Sequence, residues 1–200
     1  MSGKKIEKNQ PKSFIFNEKN KTKIKDILFK YPKDRKKSAV MPLLDLAQRQ
    51  NGGWIPLAAI KEISKIIDVP YIKIYEVATF YTMYNLAPVG KYFVQVCTTT
   101  PCMVRGSSKI VNLCKKYIHQ EEATLSKDGK SSWIEVECLG ACVSAPMMQI
   151  NDDYYEDLDE KSAVKIFEGI KKNKLPDPGS QKGRKGFEPE KRLTLIKANA

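Results

Sequence analysis

Between residues 19 and 88 the apolar positions recur every three or four residues, the spacing of helices with one buried face. Ile24, Ile27, Leu28 and Tyr31 mark a first short amphipathic helix that Pro32 ends. Leu43, Leu44, Leu46 and Ala47 give a second helix its apolar stripe, with Ser38 as its cap and Asn51-Gly52-Gly53 as its stop. Pro56 suits the first position of a third, with Ile60, Ile63, Ile66 and Ile67 inward, and Asp68-Val69-Pro70 turns the chain into a fourth. Tyr71, Tyr75, Phe80, Tyr81 and Tyr84 run along that fourth helix, where aromatics serve more often as core or subunit interface than as a stacking platform.

After Pro88-Val89-Gly90 the pattern changes. Lys91 to Val96 is rich in β-branched and aromatic residues and predicts a strand that delivers Cys97 at its end; Val104 to Ile118 predicts one helix; Ser131 to Glu137 predicts a second strand, delivering Cys138. Met147 to Ile150 and Asp153 to Tyr155 flank Asn151-Asp152 as a hairpin, and Asp159 starts a last amphipathic helix through Val164, Ile166, Phe167 and Ile170. From Lys172 onward Pro176, Pro178, Gly179, Gly183, Gly186 and Pro189 predict an extended arm. The expected fold class is α+β, in four stretches: a basic N-terminal arm (1–18), a helical bundle (19–88), a mixed domain (89–171) and a basic C-terminal arm (172–200).

Charge sharpens this division. The chain of 200 residues carries a net +12. Residues 1–37 hold 13 Lys and Arg against 4 Asp and Glu, residues 172–200 hold 8 against 3, and the body between them is left at −2. A near-neutral body with basic ends is a poor match to a folded nucleic-acid-binding face, while basic arms suit acidic partner surfaces or plain solvation. No apolar run approaches the roughly 20 residues that span a bilayer, so direct membrane insertion is not expected. The start lacks the apolar stretch of a secretory signal and gives no convincing organellar presequence, which points to a reducing compartment.

In such a compartment clustered cysteines more often ligate metal or do redox chemistry than form disulfides. Four of the five cysteines fall in two tight pairs: Cys97 and Cys102 around Thr98-Thr99-Thr100-Pro101, and Cys138 and Cys142 around Leu139-Gly140-Ala141, with 35 residues between the pairs. Cys114 stands apart and is expected to stay free. Two pairs on loops at one end of a sheet can close a four-thiolate site. Thr98, Thr99 and Thr100 would offer hydroxyl and N–H donors, Gly140 and Ala141 a close backbone approach, and Arg105 with the following helix a positive potential. Structural zinc competes, although zinc ribbons favour gaps of two residues rather than four and three. Thiol exchange of the thioredoxin type is weaker still, because neither pair has two intervening residues.

Other chemistry finds less support. His119, the one histidine, has no acid or cysteine pattern around it and reads as a surface residue, and no catalytic residue is expected on this chain. Asp152, Asp153, Glu156, Asp157, Asp159 and Glu160 lack the glycine and alternation of a calcium loop and read as a solvated face. No glycine-rich phosphate loop is present, so any NADH must bind on another chain.

Longer stretches carry a resemblance. Gly53-Trp54-Ile55-Pro56, Tyr75-Glu76-Val77-Ala78-Thr79-Phe80-Tyr81-Thr82-Met83, Val96-Cys97 with Thr100-Pro101-Cys102 and Arg105-Gly106, and Glu137-Cys138-Leu139-Gly140-Ala141-Cys142 closely resemble the 2Fe-2S subunit of respiratory complex I (NADH:quinone oxidoreductase), the type found in bacteria and, as flavoprotein 2, in mitochondria. The likeness covers about residues 38–160, with a looser likeness over Gly179 to Thr194. It implies an N-terminal helical bundle followed by a thioredoxin-like 2Fe-2S ferredoxin domain, with Cys97, Cys102, Cys138 and Cys142 in the ligand roles of one 2Fe-2S cluster. It also implies a one-electron carrier beside a partner subunit that holds FMN and oxidises NADH, among other peripheral-arm subunits. The expected place is the cytoplasmic side of the bacterial inner membrane, or the matrix side in a mitochondrion. Ser144 departs from the family pattern, which has asparagine there. Related subunits serve NAD-linked hydrogenases and formate dehydrogenases, and a zinc-containing nucleic-acid-binding regulator is the reading from a different class.

Overall fold

The computed structural model describes residues 4–185 and divides the chain into two compact units, with the boundary between Val89 and Gly90.

In the first unit, α1 (Glu18–Phe29), α2 (Val40–Gln50), α3 (Leu57–Ile67) and α4 (Tyr71–Phe80) enclose one apolar core. Leu43, Leu44 and Ala47 of α2, Ala59, Ile60 and Ile63 of α3, and Ile74 and Ala78 of α4 are fully buried, as the helical spacing requires. Asn17 caps α1 by accepting from the N–H of Asn20 at 2.9 Å. Ser38 does not cap α2. A 3-10 helix over Lys33–Ala39 runs directly into it, so Val40 follows a backbone that is already helical.

The basic stretch before α1, read as a docking arm or a solvated one, packs on the first unit. Phe14 and Phe16 meet edge to face, 5.0 Å between ring centroids, and Phe16 lies in the core. The N–H of Glu7 donates to the Leu86 carbonyl at 3.0 Å, the Gln10 side chain accepts from the Leu57 N–H at 2.8 Å, and the Lys4 ammonium donates to the carbonyls of Ala78, Tyr81 and Tyr84. The Ala78 carbonyl belongs to the last turn of α4 and those of Tyr81 and Tyr84 follow it, so the cation sits at the negative end of the helix. High lysine content concealed a strap with apolar anchors.

The second unit is built on a five-stranded mixed sheet in the order β2-β1-β3-β4-β5, with β1 Tyr92–Cys97, β2 Ser131–Val136, β3 Met148–Ile150, β4 Asp153–Glu156 and β5 Gly179–Ser180. Strand β1 lies between β2 and β3, parallel to the first and antiparallel to the second. The sheet and the helices α6 (Ser107–Tyr117) and α7 (Glu160–Lys172) share one core: Val94, Trp133, Met148 and Tyr155 pack with Ile110, Cys114, Ile166 and Phe167. Trp133 sits opposite Val94 in the ladder and satisfies its indole N–H on the His119 carbonyl at 2.7 Å. Asp159 caps α7 in a reciprocal box with Ser162. Gly90 is required where it stands, because a Cβ there would lie 2.7 Å from the Lys130 carbonyl group.

Two expectations change. The helix foreseen over Val104 to Ile118 starts later, as α6, because Gly106 has a φ of +94° that no helix interior accepts, and the loop foreseen around Cys102 contains a short helix, α5 (Thr100–Val104). The C-terminal arm also begins as structure: β5 pairs in parallel with β4, with Tyr155 opposite Gly179. Its part beyond residue 185 lies outside the described residues.

Candidate metal centre

All four paired cysteines come to one end of the sheet. Cys97 closes β1, held by its own N–H on the Met147 carbonyl at 3.4 Å, while the N–H of Thr98 reaches the Val136 carbonyl of β2 at 3.3 Å. The chain turns at Thr99 into α5, where Pro101 occupies the first turn and Cys102 faces inward. Cys138 follows β2 by two residues, Gly140 allows the tight reversal with a φ of +83°, and Cys142 begins a 3-10 turn over Cys142–Ser144. Thus each loop is anchored in the sheet just before its first cysteine.

The two pairs differ in exposure. Cys97 and Cys102 are buried, in a small apolar wall with Ala145 and Met147 against which Leu139, Ala141 and Tyr154 pack. Cys138 and Cys142 are exposed, their sulfurs 3.3 Å apart and both free thiols. Two thiolates at about 2.3 Å from one tetrahedral metal stand about 3.8 Å apart, so this pair needs only a small movement to share one ion.

Donors converge on the sulfurs. The Thr99 hydroxyl lies 3.4 Å from Cys97 Sγ. The N–H of Gly140 donates to Cys138 Sγ at 3.4 Å. Burial pushes the Cys97 thiol up, but the hydroxyl and N–H of Thr99, the Cys102 thiol and the Leu139 N–H outweigh it and hold it below its ordinary value. Burial and the neighbouring Cys97 push Cys102 up to about 12. In the outer pair the Gly140 N–H, then Cys142, lower Cys138, while Cys142 is raised, first by donating to Cys138. Each pair therefore contains one sulfur whose surroundings favour the thiolate and one whose surroundings favour the thiol.

Of the three threonines, Thr99 brings its hydroxyl to sulfur, and Arg105 is exposed. Among the described residues no group of three His, Cys, Asp or Glu side chains is arranged around a single ion. Two pairs on two loops offer four thiolates, the ligand set of a [2Fe-2S] cluster and of a tetrahedral zinc alike. Cys114 is fully buried in the sheet–helix core, away from this group, and its thiol is raised by burial.

Sequence reasoning missed three supports. The Tyr154 hydroxyl donates to the Leu139 carbonyl at 2.8 Å. Asp157, placed on a solvated acidic face, is buried and paired with Arg184, because the returning C-terminal segment covers it. Ser144 is buried and its hydroxyl accepts from Arg184 at 3.0 Å. Only strand pairing brings these residues together, and no local pattern announces it.

With the geometry in place, similarity to known proteins is informative. The chain is 54% identical over 159 residues to the E-type subunit of the NADH-quinone oxidoreductase of Rickettsia bellii, covering 80% of this chain and 95% of that one. It is 49% identical over 189 residues to the mitochondrial NADH dehydrogenase flavoprotein 2 of Dictyostelium discoideum, covering 94% and 76%. Among solved structures, an NAD+-reducing [NiFe]-hydrogenase in its H2-reduced state superposes with a TM-score of 0.57 at 20% identity over 68% of this chain, a likeness of fold. This chain spans 23% of that hydrogenase chain. The model of the thioredoxin-like [2Fe-2S] ferredoxin family matches residues 24–171, and the chain belongs to that family.

Proposed function

We propose that this chain is the 2Fe-2S electron-carrying subunit of an NADH:quinone oxidoreductase, with Cys97, Cys102, Cys138 and Cys142 as the cluster's ligands. The observation that carries the reading is the meeting of these two cysteine pairs at one end of the sheet, in a chain of a 2Fe-2S ferredoxin family. The relatives named above are subunits of that oxidoreductase, and one 2Fe-2S cluster follows from the family. Bound, the cluster supplies one-electron redox chemistry.

The chain's own residues do the rest. Thr99, Leu139 and Gly140 offer donors to sulfur and so stabilise negative charge gathered there. Met147, Ala145 and Leu139 keep water from the inner pair. The outer pair faces solvent, and exposed Met103, Val104 and Val143 follow Cys102 and Cys142 in the chain. An apolar rim beside an open redox site suits a docked electron-transfer partner. We assign that place to the flavin-bearing, NADH-oxidising subunit, where FMN and NADH bind, with other peripheral-arm subunits around it. Basic chain ends fit acidic surfaces on those neighbours. No described helix is long and apolar enough to cross a membrane, and we place the subunit in a peripheral arm on the cytoplasmic face of a bacterial inner membrane or the matrix face in a mitochondrion.

Anaerobic purification of the full chain tests the reading. Two irons and two acid-labile sulfides per chain, visible absorption and a paramagnetic resonance signal on dithionite reduction are expected. A colourless protein with one zinc would refute it.

A further inference from the structure

We propose that Arg184 is a positioning residue for the Cys142 loop, so that the C-terminal segment sets the geometry of the cluster's outer ligands; this rests on the ligand reading above. The connection is continuous. After α7 the chain returns along β4 as β5, and the Gln181 N–H donates to the Glu156 carbonyl at 2.9 Å. Arg184 then enters beneath the loop. Its Nε and Nη2 donate to the two carboxylate oxygens of Asp157 at 2.9 and 2.7 Å, and Nη2 also donates to the Val143 carbonyl at 2.9 Å and to Ser144 Oγ at 3.0 Å. Asp157 is held in turn by the Ser180 hydroxyl at 2.6 Å, and its own N–H donates to the Ser144 carbonyl at 2.7 Å.

Val143 and Ser144 directly follow Cys142, and Val143 itself is 66% exposed. The Ser144 and Ala145 N–H groups tie this turn to the Ala141 and Cys142 carbonyls, and the guanidinium adds two fixed points from outside it, the Val143 carbonyl and the Ser144 hydroxyl. Both charged side chains are about nine-tenths buried or more. A buried ion pair contributes little stability beyond what an apolar replacement would, but its planar fork fixes orientation in a way a lysine does not. Such a pair directly behind a ligand-bearing loop is placed to orient the ligand.

The test compares wild-type, R184A, R184K and C142S full-length proteins, purified anaerobically with the cluster in place. Bleaching of the visible absorption by an iron chelator, the resonance spectrum of the reduced state and the thermal melting curve are recorded for each. Outer support of a metal ligand is worth about tenfold or more in retention. Both Arg184 variants are expected to bleach about that much faster than wild type and to show an altered resonance spectrum. Wild-type bleaching and an unchanged spectrum in R184K would overturn the proposal whatever the melting curve does, and R184K decides the matter should R184A fail to fold. C142S separates the two readings: if its spectrum is also unchanged, the ligand assignment itself has failed; if its spectrum changes while R184K matches wild type, the role of Arg184 alone has failed.

Discussion

The hydroxyl of Tyr154, on β4, donates at 2.8 Å to the carbonyl of Leu139, the residue that follows Cys138 in the loop leading to Cys142. The Leu139 N–H is also among the groups that hold the Cys97 thiol below its ordinary value, so one peptide segment is fixed from the sheet and bears on the inner cysteine. Removing the hydroxyl in Tyr154→Phe should cost about 1 kcal/mol in the stability of the second unit. Chelator bleaching should accelerate by a few fold while the core keeps its melting cooperativity. Equal bleaching rates in the variant and wild type would show that the bond does not support the loop.

The free thiol and the paired thiols should behave differently. Cys97→Ala and Cys138→Ala are expected to lose or degrade the cluster, read as loss of visible absorption, whereas Cys114→Ala should leave the spectrum unchanged. Cys114 is fully buried and its thiol is pushed far up by burial, so it should also resist iodoacetamide in the folded protein at neutral pH. Labelling of Cys114 at the rate of an unfolded control would contradict its place in the core.

Acid should weaken the latch beneath the outer loop. Burial raises the Asp157 carboxyl, but hydrogen bonds from Arg184 and Ser180 and the charges of Arg184 and Lys182 outweigh it and hold it below the usual carboxylate range. A folded-state value below the unfolded one contributes stability that is present above the unfolded value, about 3.9, and is lost as pH falls from there through the folded value. In Asp157→Asn this part of the acid dependence should disappear. Urea melts of the apoprotein between neutral pH and the acid limit would measure it, and an identical pH profile in the variant would refute the assignment.

The strap before the first helix should matter to folding. Phe16 is 2% exposed and packs with Phe14 and the core of the helical unit. Phe16→Ala should cost about 3–5 kcal/mol, enough to unfold a marginal unit. Lys4→Met, which removes the cation from the end of α4, should cost less. Denaturant midpoints of the full chain would rank the two.

The helices, the first strand of the site and both cysteine pairs were legible because their signals are local. Ile60, Ile63 and Ile67 advertise a buried helix face, and Asp159 with Ser162 advertises a cap, within a few residues of chain. Errors arose where a signal was local but outvoted. The lysines around Phe14 and Phe16 masked one core residue, Phe16, and the half-buried ring packed on it. Gly106 delayed to Ser107 the start of a helix whose apolar spacing began at Val104.

Neighbouring residues alone set the chemistry of the site: four thiols in two close pairs, each placed after a strand-forming segment, because ligand type and short-range spacing are properties of adjacent positions. Which pair is sheltered and which faces solvent emerges only on folding, since the wall of Ala145 and Met147 forms when β3 pairs with β1. The fate of Asp157 follows the same rule. An acidic residue in an acidic run reads as solvated until a chain segment 27 residues further on returns along β4 and seals it with Arg184. Burial and ion pairing depend on distance in space, and pairing between strands sets that distance without leaving a mark on the residues beside it.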